Sequence, residues 1–177
     1  MSQTMEISVT MDEKSFHDFA VFDLFRHQQR WRRPTIFAAI LLLFAGVCLS
    51  QVNRREGALL LTVVLALVAL GVPGVYFWTF FHNLKVQIQR MGLSTPKPFY
   101  RLELDGEGVS VWMAGQQEKP QPTHRFLWAE AYGAYRTQNA VYLYVKQNQA
   151  FLLPGGGDAV WNFLSAKLDA PKLHDCR

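Results

Sequence analysis

Residues 34–52 (PTIFAAILLLFAGVCLSQV) and 58–81 (ALLLTVVLALVALGVPGVYFWTFF) contain no Asp, Glu, Lys, Arg or His, and only NRREG (residues 53–57) separates them. A helix needs about 20 mostly apolar residues, at ~1.5 Å of rise each, to cross the hydrocarbon layer of a bilayer. Both stretches meet that length, and so short a link forces them antiparallel. The sequence therefore predicts a transmembrane helical hairpin. As soluble helices they would have to be surrounded by a core that a chain of 177 residues does not supply. An overall hydrophobic share of 50% would suit a soluble domain, but here it is partitioned into an apolar middle between polar ends. The first run begins about 30 residues in, with no short hydrophobic region and small-residue cleavage site before it. That argues against a cleaved signal peptide.

Orientation follows from the basic residues at the ends of the spans, because these are retained on the cytoplasmic side. Arg26, Arg30, Arg32 and Arg33, with Trp31 among them, precede the first span, and Lys85 and Arg90 follow the second. The link carries Arg54 and Arg55, offset in part by Glu56. The flanks outweigh the link, which places both termini in the cytoplasm. Arginine and tryptophan are both favoured at headgroup depth, so Arg26, Arg30, Trp31, Arg32, Arg33, Lys85 and Arg90 are the candidate membrane-interface residues.

The spans hold no ionisable group of the kind that lines an ion or proton path, and two helices do not enclose a pore. Pro73, in Gly71-Val72-Pro73-Gly74, removes a donor from the second span and predicts a kink. Ala38, Ala39, Ala45 and Gly46 on one span, with Ala66 and Ala69 on the other, allow close approach of the helices.

Before the spans, residues 5–11 (MEISVTM) alternate apolar and polar and predict a strand. Asp12 can cap a helix over residues 13–33 that carries Phe16, Phe19, Phe22 and Phe25, with Pro34 as its break from the first span. That helix either lies on an anionic membrane surface or packs on the soluble domain.

From residue 98 the period changes to two. Residues 99–104 and 109–113 read as strands around the turn Asp105-Gly106-Glu107-Gly108. A polar loop over 116–123 follows, then short β-type runs at 124–128, 131–137, 140–146 and 150–153. Residues 158–168 read as an amphipathic helix capped by Asp158, and 169–177 as a flexible tail. About six strands and a closing helix make a small α+β domain. The expected organisation is a strand and helix (1–33), two spans (34–52 and 58–81) around a non-cytoplasmic link (53–57), a connector (82–97), the β-domain (98–168) and the tail.

The order LELDGEGVSVW, then RFLWAEAYGAYRTQNAVYLYVKQNQAFLLP, then a terminal helix resembles the YcxB-like family of bacterial membrane proteins. The matching features are the turn from Asp105 to Gly108 before a strand, Trp128 opening a strand, the Tyr142-Leu143-Tyr144 strand, and Leu153-Pro154 before the helix. The resemblance implies a multi-pass protein of the bacterial inner membrane. It also implies a cytoplasmic domain with a pleckstrin-homology-like sheet or barrel closed by the C-terminal helix. It carries over no catalytic residue. The chain departs from the family after Pro154, where Gly155-Gly156-Gly157 stand in place of a polar or basic residue, so no binding role is transferred to that corner.

Chemistry-bearing motifs are scarce. The three glycines lack the GxxxxGK[ST] arrangement of a phosphate-binding loop. His17, His27, His82, His124 and His174 lack metal-ligand spacing, and Cys48 and Cys176 lie too far apart in the predicted layout to pair. No catalytic, metal or cofactor residue is assigned. Basic residues flank the spans and do not form a stripe, which suits a lipid bilayer and not nucleic acid. The expected function is non-enzymatic: a membrane protein whose cytoplasmic domain meets a protein partner, a second copy or the membrane surface. The alternatives are an accessory subunit of a larger transporter and an interfacial lipid enzyme, for which Glu103, Glu130 and His124 are the nearest titratable groups.

Overall fold

The alternation of residues 5–11 is realised as β1 (Met5–Met11), with Val9 and Met11 buried and Glu6, Ser8 and Thr10 exposed. The computed structural model describes residues 4–52, 56–115, 121–155 and 157–177. The link arginines Arg54 and Arg55, most of the polar loop that begins at Gln116, and Gly156 lie outside them.

β1 does not stand apart from the C-terminal domain. It pairs antiparallel with β2 (Lys97–Leu104), Met5 opposite Leu104 and Val9 opposite Tyr100, with a bulge before Thr10. The sheet continues through β3 (Gly108–Met113) to β4 (His124–Leu127), in the order β1-β2-β3-β4. The domain is thus discontinuous, built from the chain up to Phe19 and again from Leu93. Treating residues 1–33 as one segment misses this, because alternation identifies a strand but not its partner.

The β2–β3 turn is organised by Asp105, whose Oδ1 accepts from the N–H groups of Glu107 and Gly108, each at 2.7 Å. Its carbonyl accepts from Trp128 Nε1 at 2.9 Å. Gly108 has no room for a side chain, since a Cβ there would stand 2.0 Å from the Phe126 carbonyl oxygen.

A second sheet holds β5 (Gly133–Arg136), β6 (Ala140–Lys146), β7 (Gln149–Pro154) and β8 (Leu173–Asp175), in the order β7-β6-β5-β8. Among the described residues the C-terminal part carries seven strands where six were expected, and β1, itself expected, makes eight. The tail expected to be flexible instead carries a single helical turn (Ala170–Lys172) and β8, which lies parallel to β5 with Leu173 opposite Ala134. A parallel partner needs a crossover, and α4 (Asp158–Lys167) supplies it. Gly157, not Asp158, takes the cap position of α4. Asp158 instead forms an ion pair with the buried Arg136, which also lies 5.7 Å over the Trp161 ring.

One buried side chain bonds both sheets. The Tyr100 hydroxyl on β2 donates to the Leu152 carbonyl at 2.8 Å and accepts from the Leu152 N–H at 2.7 Å. Leu102, Leu104, Val109, Val111, Val141, Leu143, Val145, Leu153 and Leu164 form the buried centre. The helix α1 (Glu13–Phe22) starts from an Asp12 carboxylate that caps the Ser15 N–H at 2.8 Å. Phe19 of α1 meets Tyr142 edge-on at 5.3 Å, which places the start of α1 against the second sheet.

The remaining unit, from Ala20 to Gly92, is helical. The expected break at Pro34 falls earlier. α1 passes into a wide turn, Asp23–His27, and the chain reorients at Gln29, whose φ of 48° is left-handed. α2 (Arg32–Ser50) then takes Pro34 into its first turn, where a missing N–H costs no helical bond. α3 (Ala58–Met91) absorbs both the second span and most of the expected connector, and is closed by Gly92 in the left-handed region. It remains helical through Pro73. Ala38, Ala45 and Ala69 are the buried residues of the apolar stretches, so the two helices meet through their smallest side chains.

Candidate membrane interface

α2 and α3 are each long and apolar enough to cross a membrane. Their large side chains face outward: Leu43 is 72% exposed, Leu60 73% and Trp78 76%. Covering one Leu, Ile or Phe side chain is worth ~1.5–3 kcal/mol, and Ile36, Phe37, Phe44, Leu59, Leu67, Leu70 and Val75 are exposed as well. Left in water, such a surface would cost tens of kcal/mol against a typical folding stability of about 5–15 kcal/mol. The hairpin therefore requires an apolar cover.

The depth of that cover can be laid out along the helices. Thr62 Oγ1 bonds the Ala58 carbonyl at 2.8 Å and reaches the Ala45 carbonyl at 3.5 Å, which sets the antiparallel register. From Ala45 back to Trp31 and from Thr62 on to Phe77 are similar lengths, about 21 and about 22 Å at ~1.5 Å per residue. Trp31 and Phe77 thus reach the same level, and the side chains agree. Phe25 stacks on Phe77 with centroids 6.0 Å apart and planes 10° from parallel. It also lies 6.0 Å from Trp31, whose Nε1–H donates to the Phe25 carbonyl at 3.2 Å. Tyr76, Phe77 and Trp78 are consecutive, so the level is an aromatic band. From Ala58 to this band is about 30 Å, the thickness of a hydrocarbon core.

The seven residues expected at the interface separate on this scale. Arg26 lies in the wide turn, Arg30 and Trp31 in the reorienting segment, and Arg32 and Arg33 open α2, all beside the band. Lys85 and Arg90 ride on the polar end of α3, about 12 and about 20 Å beyond Phe77. Phe25 and the band on α3 were missed as a unit, although the triplet YFW near the end of the second apolar run was a readable signal.

In the domain, Glu103, His124 and Glu130 stand on β2, β4 and a helical turn (Trp128–Glu130), and the described residues include no group of His, Cys, Asp and Glu able to hold a metal ion. Burial pushes the Tyr100 phenol well above its ordinary pKa. The Arg136 guanidinium holds the Asp158 carboxyl below the usual range. Both groups are engaged in holding the fold together. A scan against protein-family models finds no match, and neither a curated protein nor a solved structure shows significant similarity to the chain.

Proposed function

We infer that this chain is a non-enzymatic, multi-pass protein of the bacterial inner membrane, with both termini cytoplasmic and a domain that meets a protein partner or the membrane surface. The observation that carries the reading is the hairpin, whose outward apolar surface ends at an aromatic band about 30 Å from its turn. The β1–β2 pairing adds support: the segments before α2 and after α3 share one sheet, which demands an even number of crossings between them. Arginines beside the band favour the cytoplasm for that side. A four-stranded antiparallel sheet, a second array of three antiparallel strands and then a helix are compatible with the pleckstrin-homology-like, YcxB-like layout that the sequence resembles, although β8 adds a parallel edge.

Crosslinking of the full-length chain in native membranes, followed by mass spectrometry, tests the role. A reproducible cytoplasmic or multispan protein supports a docking function. Recovery of the chain in the soluble fraction after alkaline extraction of membranes refutes the membrane reading itself.

A further inference from the structure

We propose that the corner formed by Arg26, Arg30, Arg32 and Arg33 is a binding site for the headgroups of anionic phospholipids, selective over zwitterionic ones. The proposal rests on the membrane reading above. Four arginines against the single carboxylate of Asp23 leave residues 23–33 with a net charge of +3. All four are exposed, and none forms an ion pair among the described residues. A guanidinium presents a planar fork of donors that matches a phosphate, so their chemistry suits a phosphodiester.

Their placement distinguishes them from basic residues that merely set topology. The backbone that carries them is shaped: a wide turn, left-handed Gln29, and the tie from Trp31 Nε1 to the Phe25 carbonyl, with Phe25 stacked on Phe77. That framework holds the arginines at the level of the aromatic band, where phosphates lie. Arg90 provides the internal contrast. It is also exposed and cationic, but stands about 20 Å past the band, more than twice the ~8 Å screening length at physiological salt. An acidic protein segment would have to enter the headgroup layer to reach the corner, so lipid is the better-matched ligand.

The test uses the purified full-length chain in detergent, titrated with dioleoyl-phosphatidylglycerol or dioleoyl-phosphatidylcholine and read by native mass spectrometry of lipid adducts. A basic residue near an anionic surface is worth about 1 kcal/mol, or about fivefold in affinity. The expected result is phosphatidylglycerol adducts at concentrations at least tenfold lower than phosphatidylcholine adducts. R26Q/R30Q should then weaken phosphatidylglycerol binding about 25-fold and leave phosphatidylcholine unchanged, R26K/R30K should retain most of the affinity, and R90Q should have no effect. Equal affinity for the two lipids overturns the proposal, and so does a loss in R90Q equal to that in R26Q/R30Q. Displacement of the lipid by an acidic peptide at equal concentration would reassign the corner to a protein. Unchanged helical circular dichroism shows that R26Q/R30Q still folds. Alkaline extraction separates the two failures: a chain that stays in the membrane yet shows no lipid preference disproves only this site.

Discussion

Removing one oxygen atom, by Tyr100→Phe, should destabilise the β-domain more than any other change of that size. Leu152 lies on β7, an edge strand, and both of its backbone polar groups bond the Tyr100 hydroxyl from the other sheet. Phenylalanine keeps the ring, its edge-on contact with Phe151 at 5.4 Å and the burial, but leaves a buried N–H and a buried C=O without that partner. A buried unsatisfied group costs ~1–3 kcal/mol, so the pair predicts a loss of about 2–4 kcal/mol after partial relaxation. For a domain of about 100 residues each kcal/mol moves the midpoint ~4–8 °C, giving a fall of about 8–32 °C. Thermal unfolding of the full-length chain in mild detergent reads this through the fluorescence of Trp112, Trp128 and Trp161. The helical circular dichroism of the hairpin serves as an internal control. A shift below ~0.5 kcal/mol would refute the argument, because it would mean that Leu152 finds other partners at no cost.

The same residue predicts a pH dependence. The folded state raises the Tyr100 pKa, so the protonated phenol is the form that folding favours. Its contribution should be complete below the unfolded value of ~10 and decline as pH rises above it, which denaturant titration between pH 8 and 11 checks against Tyr100→Phe. Gly108→Ala should cost at least ~2 kcal/mol, read as a lower denaturation midpoint, because a methyl group has no space beside the Phe126 carbonyl. In the hairpin, Ala69→Leu should destabilise by ~1–3 kcal/mol, seen in the helical melting transition in detergent, since Ala69 is 1% exposed. If both termini are cytoplasmic, a membrane-impermeant maleimide should label Cys176 in inverted vesicles and not in sealed right-side-out ones, while Cys48 within α2 stays unlabelled in both.

Elements with a strong local period were legible. The strand at 5–11, that at 140–146 and the two apolar helices follow from alternation or from runs without charge, and their bounds differ from expectation by a few residues at most, apart from the polar extension of α3. Features depending on distant partners were not legible. Nothing in MEISVTM announces that it borders FYRLEL across two spans, and LHD is too short to show a period, yet it completes the second sheet. Pro34 misled as a helix breaker because proline is tolerated in a first turn. For the candidate interface, composition at the ends of the apolar runs offered the arginines and Trp31 together with Lys85 and Arg90. Their separation from Lys85 and Arg90 needed the continuous course of α3, which the sequence disguises as a connector.

The β1–β2 ladder also orders the life of the chain. β1 leaves the ribosome first, and its partner follows only after about 85 further residues that include both apolar helices. Closing a flexible loop of that length costs about 4 kcal/mol in chain entropy, and a hairpin already seated in a bilayer, as proposed, would remove most of it. On the membrane reading proposed above, insertion therefore comes before closure of the first sheet. Until then β2 is an open edge, and a recombinant fragment that starts at Leu93 would keep it open permanently, with its row of unpaired donors and acceptors available to any passing strand.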